Sequence, residues 1–280
     1  MPRVLGDGEK GAQDYNSFYE KTICMDTVQY NSKTEKAELH YNMHSMYGYN
    51  QAVTTDKACP EVTGKRCHIL TRSSFPGSQK HVSHWLGDNG SGWDHLQYSI
   101  AGILDFSLFG FSHTGVDICG FGGDSNEELC RRWTLLGAFY PFSRNHNAIG
   151  TKDQDPAYWD EVNGDNAFSE MTRDVYRKRY QMMPYLYTLM WKAHTEGASV
   201  ATPLWWLFPE ELELRSVDRQ LVWGSGFMIV GILEEGATSV EAYFKFFKLW
   251  FVLYGQFHFF LENLSFSWRM VRFQHSIGYK

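Results

Sequence analysis

The sequence predicts an α/β fold with a parallel sheet, followed by a β-domain. Three observations carry this expectation. Short apolar runs end in polar or charged residues, stretches with helical apolar spacing separate the later runs, and beyond about residue 202 short runs follow one another without helices between them.

Taken in order, residues 1–20 are Gly-rich and polar and read as an irregular start. Residues 21–60 mix Tyr, His and polar residues with little periodicity, as a long loop leading to a helix would. Candidate strands then occupy 68–72, 82–88, 114–117 and 138–142. Between them, Leu96, Ile100, Ile103, Leu104 and Leu108 recur at helical spacing, predicting a helix over 93–109. Ser125-Asn126-Glu127-Glu128 matches a capping box and opens a helix through Leu129, Trp133 and Leu136. The longest helical stretch is 169–196, which Pro184 is expected to divide or kink. Runs at 204–208, 220–223, 227–230 and 240–244 begin the β-domain. The last 36 residues carry twelve aromatics and five Lys/Arg against one Glu, with no turn-bounded alternation. They are expected to stand outside the β-domain as an aggregation-prone terminus, with adsorption to a membrane surface as the alternative.

Composition narrows the function. A chain of 280 residues with 43% apolar content can bury a core, and a net charge of −6 leaves no basic footprint for nucleic acid. The start, Met1-Pro2-Arg3-Val4-Leu5, lacks the apolar stretch of a signal peptide, and no window of about 18 apolar residues predicts a membrane span. Five cysteines (24, 59, 67, 119 and 130) leave one over if disulfides form, so the compartment stays open. Aromatic residues make up 16% of the chain. That fits a carbohydrate enzyme, because sugar C–H faces stack on aromatic planes, but it also fits a large core.

Four polar residues end candidate strands: Arg72, Asp88, Asp117 and His146. In parallel α/β barrels, functional side chains project from the C-terminal strand ends, so the four are expected to converge on one mouth. Glycoside hydrolysis needs two carboxylates, one of them a proton donor. Asp88, close to Trp85, is the candidate acid, its proton affinity raised by apolar surroundings. Asp117 and His146 can bond sugar hydroxyls, and Arg72 can hold hydroxyls or steer Asp88. Each has a plainer reading. Asp88-Asn89-Gly90 is also a turn sequence, Asp117 also a helix cap, and His146 also a structural histidine. His81, His84 and His95 match no closed zinc spacing, so no metal is expected. Neither a Gly-rich phosphate loop nor a Gly-x-Ser-x-Gly elbow is present.

Longer segments carry a resemblance. They include Asn42-Met43-His44-Ser45-Met46-Tyr47-Gly48, Thr71-Arg72-Ser73-Ser74-Phe75-Pro76-Gly77, His84-Trp85-Leu86-Gly87-Asp88-Asn89 and Gly115-Val116-Asp117-Ile118-Cys119-Gly120-Phe121. Phe139-Tyr140-Pro141-Phe142-Ser143-Arg144-Asn145-His146-Asn147 and Pro184-Tyr185-Leu186-Tyr187 continue it. Across residues 21–244 the chain resembles glycoside hydrolase family 31, the α-glucosidases, and most of all the intestinal disaccharidase modules. The resemblance implies the C-terminal half of a (β/α)8 TIM barrel over 21–201, carrying strands five to eight, and the start of a β-sandwich over 202–244. It leaves 245–280 as a divergent tail.

The same resemblance implies retaining hydrolysis of terminal α-1,4-linked glucose from maltose-like oligosaccharides, with no cofactor and no metal. It implies Asp88 as general acid/base, and Arg72, Trp85, Asp117, Phe121 and His146 as the lining of the glucose subsite. It pairs Cys119 with Cys130 in a disulfide, and suggests a secretory-pathway, brush-border or lysosomal setting. One departure limits these expectations. The family's nucleophile sits in a Trp-Ile-Asp-Met-Asn-Glu segment that is not in these 280 residues. The chain is therefore expected to be an inactive fragment, either a sugar-binding remnant or a truncated product.

Overall fold

A computed structural model describes residues 22–32, 34–245, 250–253, 256–259 and 268–274, with side chains through Tyr243. The irregular start expected for 1–20 lies outside the described residues. Strands β1 (Val28–Asn31) and β2 (Lys36–Leu39) form an antiparallel hairpin. Helix α1 (His40–Met43), a 3-10 turn (His44–Met46) and helix α2 (Tyr47–Thr63) follow. The loop expected over 21–60 is thus largely ordered. Its elements escape periodicity analysis because the hairpin buries none of its residues and α2 buries only Gly48 and Ala52.

Next come β3 (Leu70–Thr71), β4 (Ser83–Trp85), α3 (Trp93–Leu108), β5 (Thr114–Gly115), β6 (Asp117–Ile118), α4 (Glu127–Gly137) and β7 (Arg144–Asn145). β3 pairs β4, β4 pairs β5, and β6 pairs β7, all parallel. One continuous segment, 114–118, therefore borders β4 with its first half and β7 with its second. Helix α3 crosses over between β4 and β5, and α4 between β6 and β7, as expected from sequence. The α4 N-cap is Asn126, whose Oδ1 accepts from the Leu129 N–H at 2.9 Å, one residue later than the capping-box reading placed it.

The fourth run, 138–142, is not a strand. Ala138, Phe139 and Tyr140 still turn with the end of α4, their N–H groups bonding the carbonyls of Thr134, Leu136 and Gly137. The Arg179 guanidinium then takes the carbonyls of Ala138, Tyr140 and Pro141 at 2.5 to 3.0 Å, so they are not available to a ladder. Pairing starts at Phe142, whose N–H reaches the Thr114 carbonyl, and the strand itself begins only at Arg144, past the end of the expected run.

Helix α5 (Pro156–Asn163) leads into α6 (Ala167–Glu196), a single 30-residue helix that Pro184 does not divide. β8 (Ala201–Thr202) precedes α7 (Leu204–Leu207), a helical turn where the sequence suggested a strand. A 3-10 segment (Leu212–Ser216) leads to β9 (Gln220–Trp223), β10 (Phe227–Val230) and β11 (Ser239–Lys245). Residues expected to stand outside the β-domain supply β12 (Trp250–Leu253), β13 (Gln256–Phe259) and β14 (Trp268–Gln274). The sheet order is β13-β12-β10-β9-β8, and β14 pairs with β11. Ladder formation needs only free backbone groups at an edge, which β10 and β11 offer without any side-chain alternation in the tail.

All eight residues of β9 and β10 are buried. Leu221, Trp223, Phe227 and Ile229 join the main core with α3, α4 and α6, while Val222, Met228 and Val230 join a second core with Leu204, Leu214 and Ala242. One sheet thus seals two cores. Gln220, also buried, accepts from the Tyr243 N–H and donates to the Tyr243 carbonyl, fixing β11 to β9 as a ladder pair would.

Gly115 sits where β4 and the segment before β7 close on one strand. A Cβ there would lie 1.9 Å from the Phe142 carbonyl oxygen, a backbone atom that cannot swing away. Gly115→Ala is therefore expected to cost about 2 kcal/mol or more, measured as a shift in chemical denaturation midpoint. An unchanged midpoint would show that the strands are not packed this closely.

Candidate functional site

The strand ends bring the expected residues together. Arg72 directly follows β3, Trp85 ends β4 with Asp88 three residues beyond, Asp117 opens β6, and His146 directly follows β7. The Arg72 guanidinium lies 3.7 Å from the Asp88 carboxylate and 6.0 Å from the centre of the Trp85 ring. Gly87 permits this approach: with φ at +87°, it leaves open the space where a Cβ would stand 2.3 Å from the Arg72 Nε. Trp85 in turn donates its indole N–H to Asp117 Oδ1 at 2.9 Å. The Phe121 and His146 rings lie 5.1 Å apart.

Two expectations change. The apolar setting expected for Asp88 is absent, since its side chain is 43% exposed and faces Arg72. The buried carboxylate is instead Asp117, which is fully inaccessible. Burial raises the proton affinity of Asp117, opposed by the Arg144 guanidinium, His146 and the Trp85 N–H. The plainer readings also fall away for two residues. Asp88-Asn89-Gly90 forms no turn, and Asp117 is a strand residue bonded to Trp85 and Arg144, not a helix cap.

Sequence reasoning missed three residues. Arg144 donates from Nη2 to Asp117 Oδ1 at 2.7 Å, with its guanidinium 4.7 Å from the Trp85 ring centre. Asn89 accepts the Phe121 N–H on its side-chain oxygen and donates to the Asp117 carbonyl. Gln154, buried, donates to the Gly120 carbonyl at 2.8 Å. Arg144 had a usable signal, because it lies on a strand of the same sheet two residues before His146. Asn89 and Gln154 had none, since their partners are backbone groups about 30 residues away.

The loop between Asp117 and Phe121 is also tied covalently. Cys119 and Cys130 form a disulfide with Cα atoms 4.5 Å apart, as the resemblance implied. A second disulfide, Cys59–Cys67, joins the end of α2 to the segment before β3, and Cys24 is the free, exposed thiol. The three histidines weighed as a metal group have separate surroundings. His81 bonds Asp56, His84 stacks on Phe106 at 3.7 Å, and His95 lies beside Tyr98. Among the described residues no three His, Cys, Asp or Glu side chains are grouped to hold a metal.

An exposed carboxylate, a buried carboxylate with one unbonded oxygen, two guanidiniums, an imidazole and two aromatic faces stand together at the strand ends. Such a set accepts and donates hydrogen bonds to hydroxyls while a ring lies against Trp85 or Phe121.

Residues 12–189 match the sequence model of the glycosyl hydrolases family 31 TIM-barrel domain, and residues 197–264 that of the family's C-terminal domain. Both matches reach beyond the 21–244 span of the resemblance. Intestinal sucrase-isomaltase of Oryctolagus cuniculus is 47% identical over 81% of this chain and 12% of its own length. Lysosomal alpha-glucosidase of Mus musculus is 44% identical over 80% of this chain and 22% of its own. Among solved structures, the glucosidase II alpha subunit in its Glc1Man2-bound form superimposes with a TM-score of 0.72 at 25% identity, over 85% of this chain and 25% of that one. The chain thus spans less than a quarter of the length of these curated relatives. No helix among the described residues is long and apolar enough to cross a membrane.

Two buried histidines near the strands predict an acid response. Burial lowers the His84 pKa from 6.5 to about 4, and burial, His68 and Arg179 lower that of His113 to about 4. The fold favours both neutral rings, so their contribution is complete above pH 6.5 and is lost as pH falls from 6.5 towards 4. His84→Leu is expected to flatten the fall in Tm across that window. An unchanged slope would mean that His84 is hydrated in solution.

Proposed function

Because this chain belongs to glycosyl hydrolase family 31, we propose that its strand-end cluster is the glucose-binding and acid/base half of an α-glucosidase site. One observation carries the reading: charged and aromatic side chains from the C-terminal ends of successive parallel strands converge at one mouth, as they do in barrel enzymes. In this reading β3, β4, the 114–118 segment and β7 are strands five to eight of a (β/α)8 barrel. Residues from 202 onward begin a β-sandwich, whose sheet takes in β12 and β13 beyond residue 244. The cleft takes the terminal glucose of a maltose-like α-1,4 oligosaccharide, a neutral polyol that suits hydrogen-bonding groups and aromatic faces.

Asp88 does the proton work. As a carboxylic acid it protonates the glycosidic oxygen while that bond breaks, and as a carboxylate it then takes a proton from the attacking water. Its exposure gives it access to solvent, and Arg72 orients it. Asp117 accepts a hydroxyl hydrogen bond on its unbonded oxygen, and His146 and Arg72 bond neighbouring hydroxyls. Trp85 and Phe121 form the apolar walls. A retaining reaction needs a second carboxylate as nucleophile, and the family's nucleophile segment is not in these 280 residues. This polypeptide by itself therefore binds sugar without turning it over. Two disulfides support an oxidising compartment, in keeping with the intestinal and lysosomal names of the relatives.

The purified chain is expected to release no glucose from maltose but to show glucose-dependent NMR shifts at Trp85 and His146. When joined to a polypeptide supplying the second carboxylate, it should gain turnover, which Asp88→Asn then lowers about 10²- to 10⁴-fold without loss of fold. Glucose release by the chain alone, abolished by Asp88→Asn, would overturn the division of labour.

A further inference from the structure

Asp117 is the least accessible charge in the cleft, yet only one of its oxygens is held. Oδ1 accepts two hydrogen bonds, from the Trp85 indole at 2.9 Å and from Arg144 Nη2 at 2.7 Å. Oδ2 is buried without a partner. A carboxylate that rotated about its Cβ–Cγ bond would exchange the two oxygens and lose neither donor, so the donors fix a plane, and with it the direction of the free oxygen. The charge needs a counter-ion as well as an orientation, because a buried carboxylate left alone takes up a proton.

Arg144 supplies both. Its guanidinium lies between Asp117 and two aromatic rings, 4.7 Å from the centre of Trp85 and 5.4 Å from that of Phe142. The same side chain thus steadies the indole that makes the second bond to Oδ1. Lysine cannot reproduce this, since a point charge on a flexible stem neither stacks as a plane nor donates in a fixed direction.

We propose that Arg144 is a positioning residue that keeps Asp117 ionised and its Oδ2 directed at one hydroxyl of the sugar, so that the pair sets recognition of a neutral pyranose. This rests on the glucose-site reading above and adds to it a residue that touches no substrate. The groups facing Asp117 are few. Arg144 and His146 act on it from β7 and the residue after it, and β4 and its following loop contribute the Trp85 indole and the Asn89 amide, neither of which titrates. Removing Arg144 takes away the guanidinium that both bonds Asp117 Oδ1 and opposes the effect of burial on its charge. Asp117 then protonates more readily, its oxygen becomes a donor, and sugar affinity acquires a pH dependence.

The test uses the 280-residue chain, D-glucose as probe, and ¹³C NMR titration of the Asp117 carboxyl. Arg144→Met is expected to weaken glucose binding about tenfold or more and to raise the Asp117 titration midpoint, with affinity recovering as pH rises through that midpoint. Arg144→Lys should restore the midpoint most of the way but the affinity only in part. Asp117→Asn separates the two levels of the argument. If it binds glucose as the parent chain does, the glucose-site reading fails. If it loses binding while Arg144→Met keeps normal affinity and an unmoved Asp117 midpoint, the positioning role alone is overturned. Should the parent chain bind no glucose, the midpoints still decide: equal values in the parent chain and the methionine variant refute the role, and a raised value in the methionine variant supports it. If Arg144→Met does not fold, the lysine variant decides. Unchanged affinity with an unchanged midpoint there would show that any cation suffices, and would overturn the oriented-donor argument.

Discussion

A buried carboxylate is the constraint on which the cleft depends. Asp117 opens strand β6 with no solvent contact, and burial works against its charge. The charge is tolerated because Trp85 and Arg144 reach the same oxygen from β4 and β7, the strands on either side. Those two bonds tie three strand positions to one atom. The Arg144 plane over Trp85 and the Arg72 guanidinium above the other carboxylate extend the arrangement to the mouth. A polar group buried this deeply is costly when half-satisfied, so the neighbouring backbone has little freedom to move.

The loop after Asp117 shows that constraint at work. Cys119 adopts φ +73°, uncommon for a residue with a side chain, and is held there by its disulfide to α4. Gly120 follows with φ +88°, in a space where a Cβ would stand 2.5 Å from Ser91. Asn89 pins the Phe121 N–H, and Gln154 pins the Gly120 carbonyl. Three independent ties on three consecutive residues place the Phe121 ring beside His146. The Phe121 and His146 rings thus stand on backbone with few alternative conformations, the condition under which binding a ligand costs least entropy.

Behind the cleft, the sheet built on β9 and β10 couples the two parts of the chain. Its buried faces serve separate cores, so neither the helices α3, α4 and α6 nor the outer β-segments can be packed without it. Arg132 strengthens the junction, donating to the Glu234 carbonyl and to Glu128 on its own helix, and Glu128 also accepts the Gly236 N–H. The two family domains matched by the chain therefore share one interior surface along this sheet.

The sequence by itself determined the α/β class, helices α3, α4 and α6, and strands β3 to β6 and β9 to β11, because burial imposes periodicity. It marked Arg72, Asp88, Asp117 and His146 as strand-end candidates, while Trp85 and Phe121 came only through the family resemblance. It also determined the family, through long matching segments, and with it the Cys119–Cys130 pair. Where burial left no period, the sequence said little: the exposed hairpin β1–β2 and helix α2 were legible only as loop. The tertiary structure alone decided that 138–142 turns instead of extending, because its carbonyls are claimed by Arg179 from a helix some 40 residues on. It alone decided that Asp117, not Asp88, is the desolvated carboxylate, and that Arg144 is its counter-ion. Desolvation depends on what packs above a residue from elsewhere in the chain, and no local spacing encodes that.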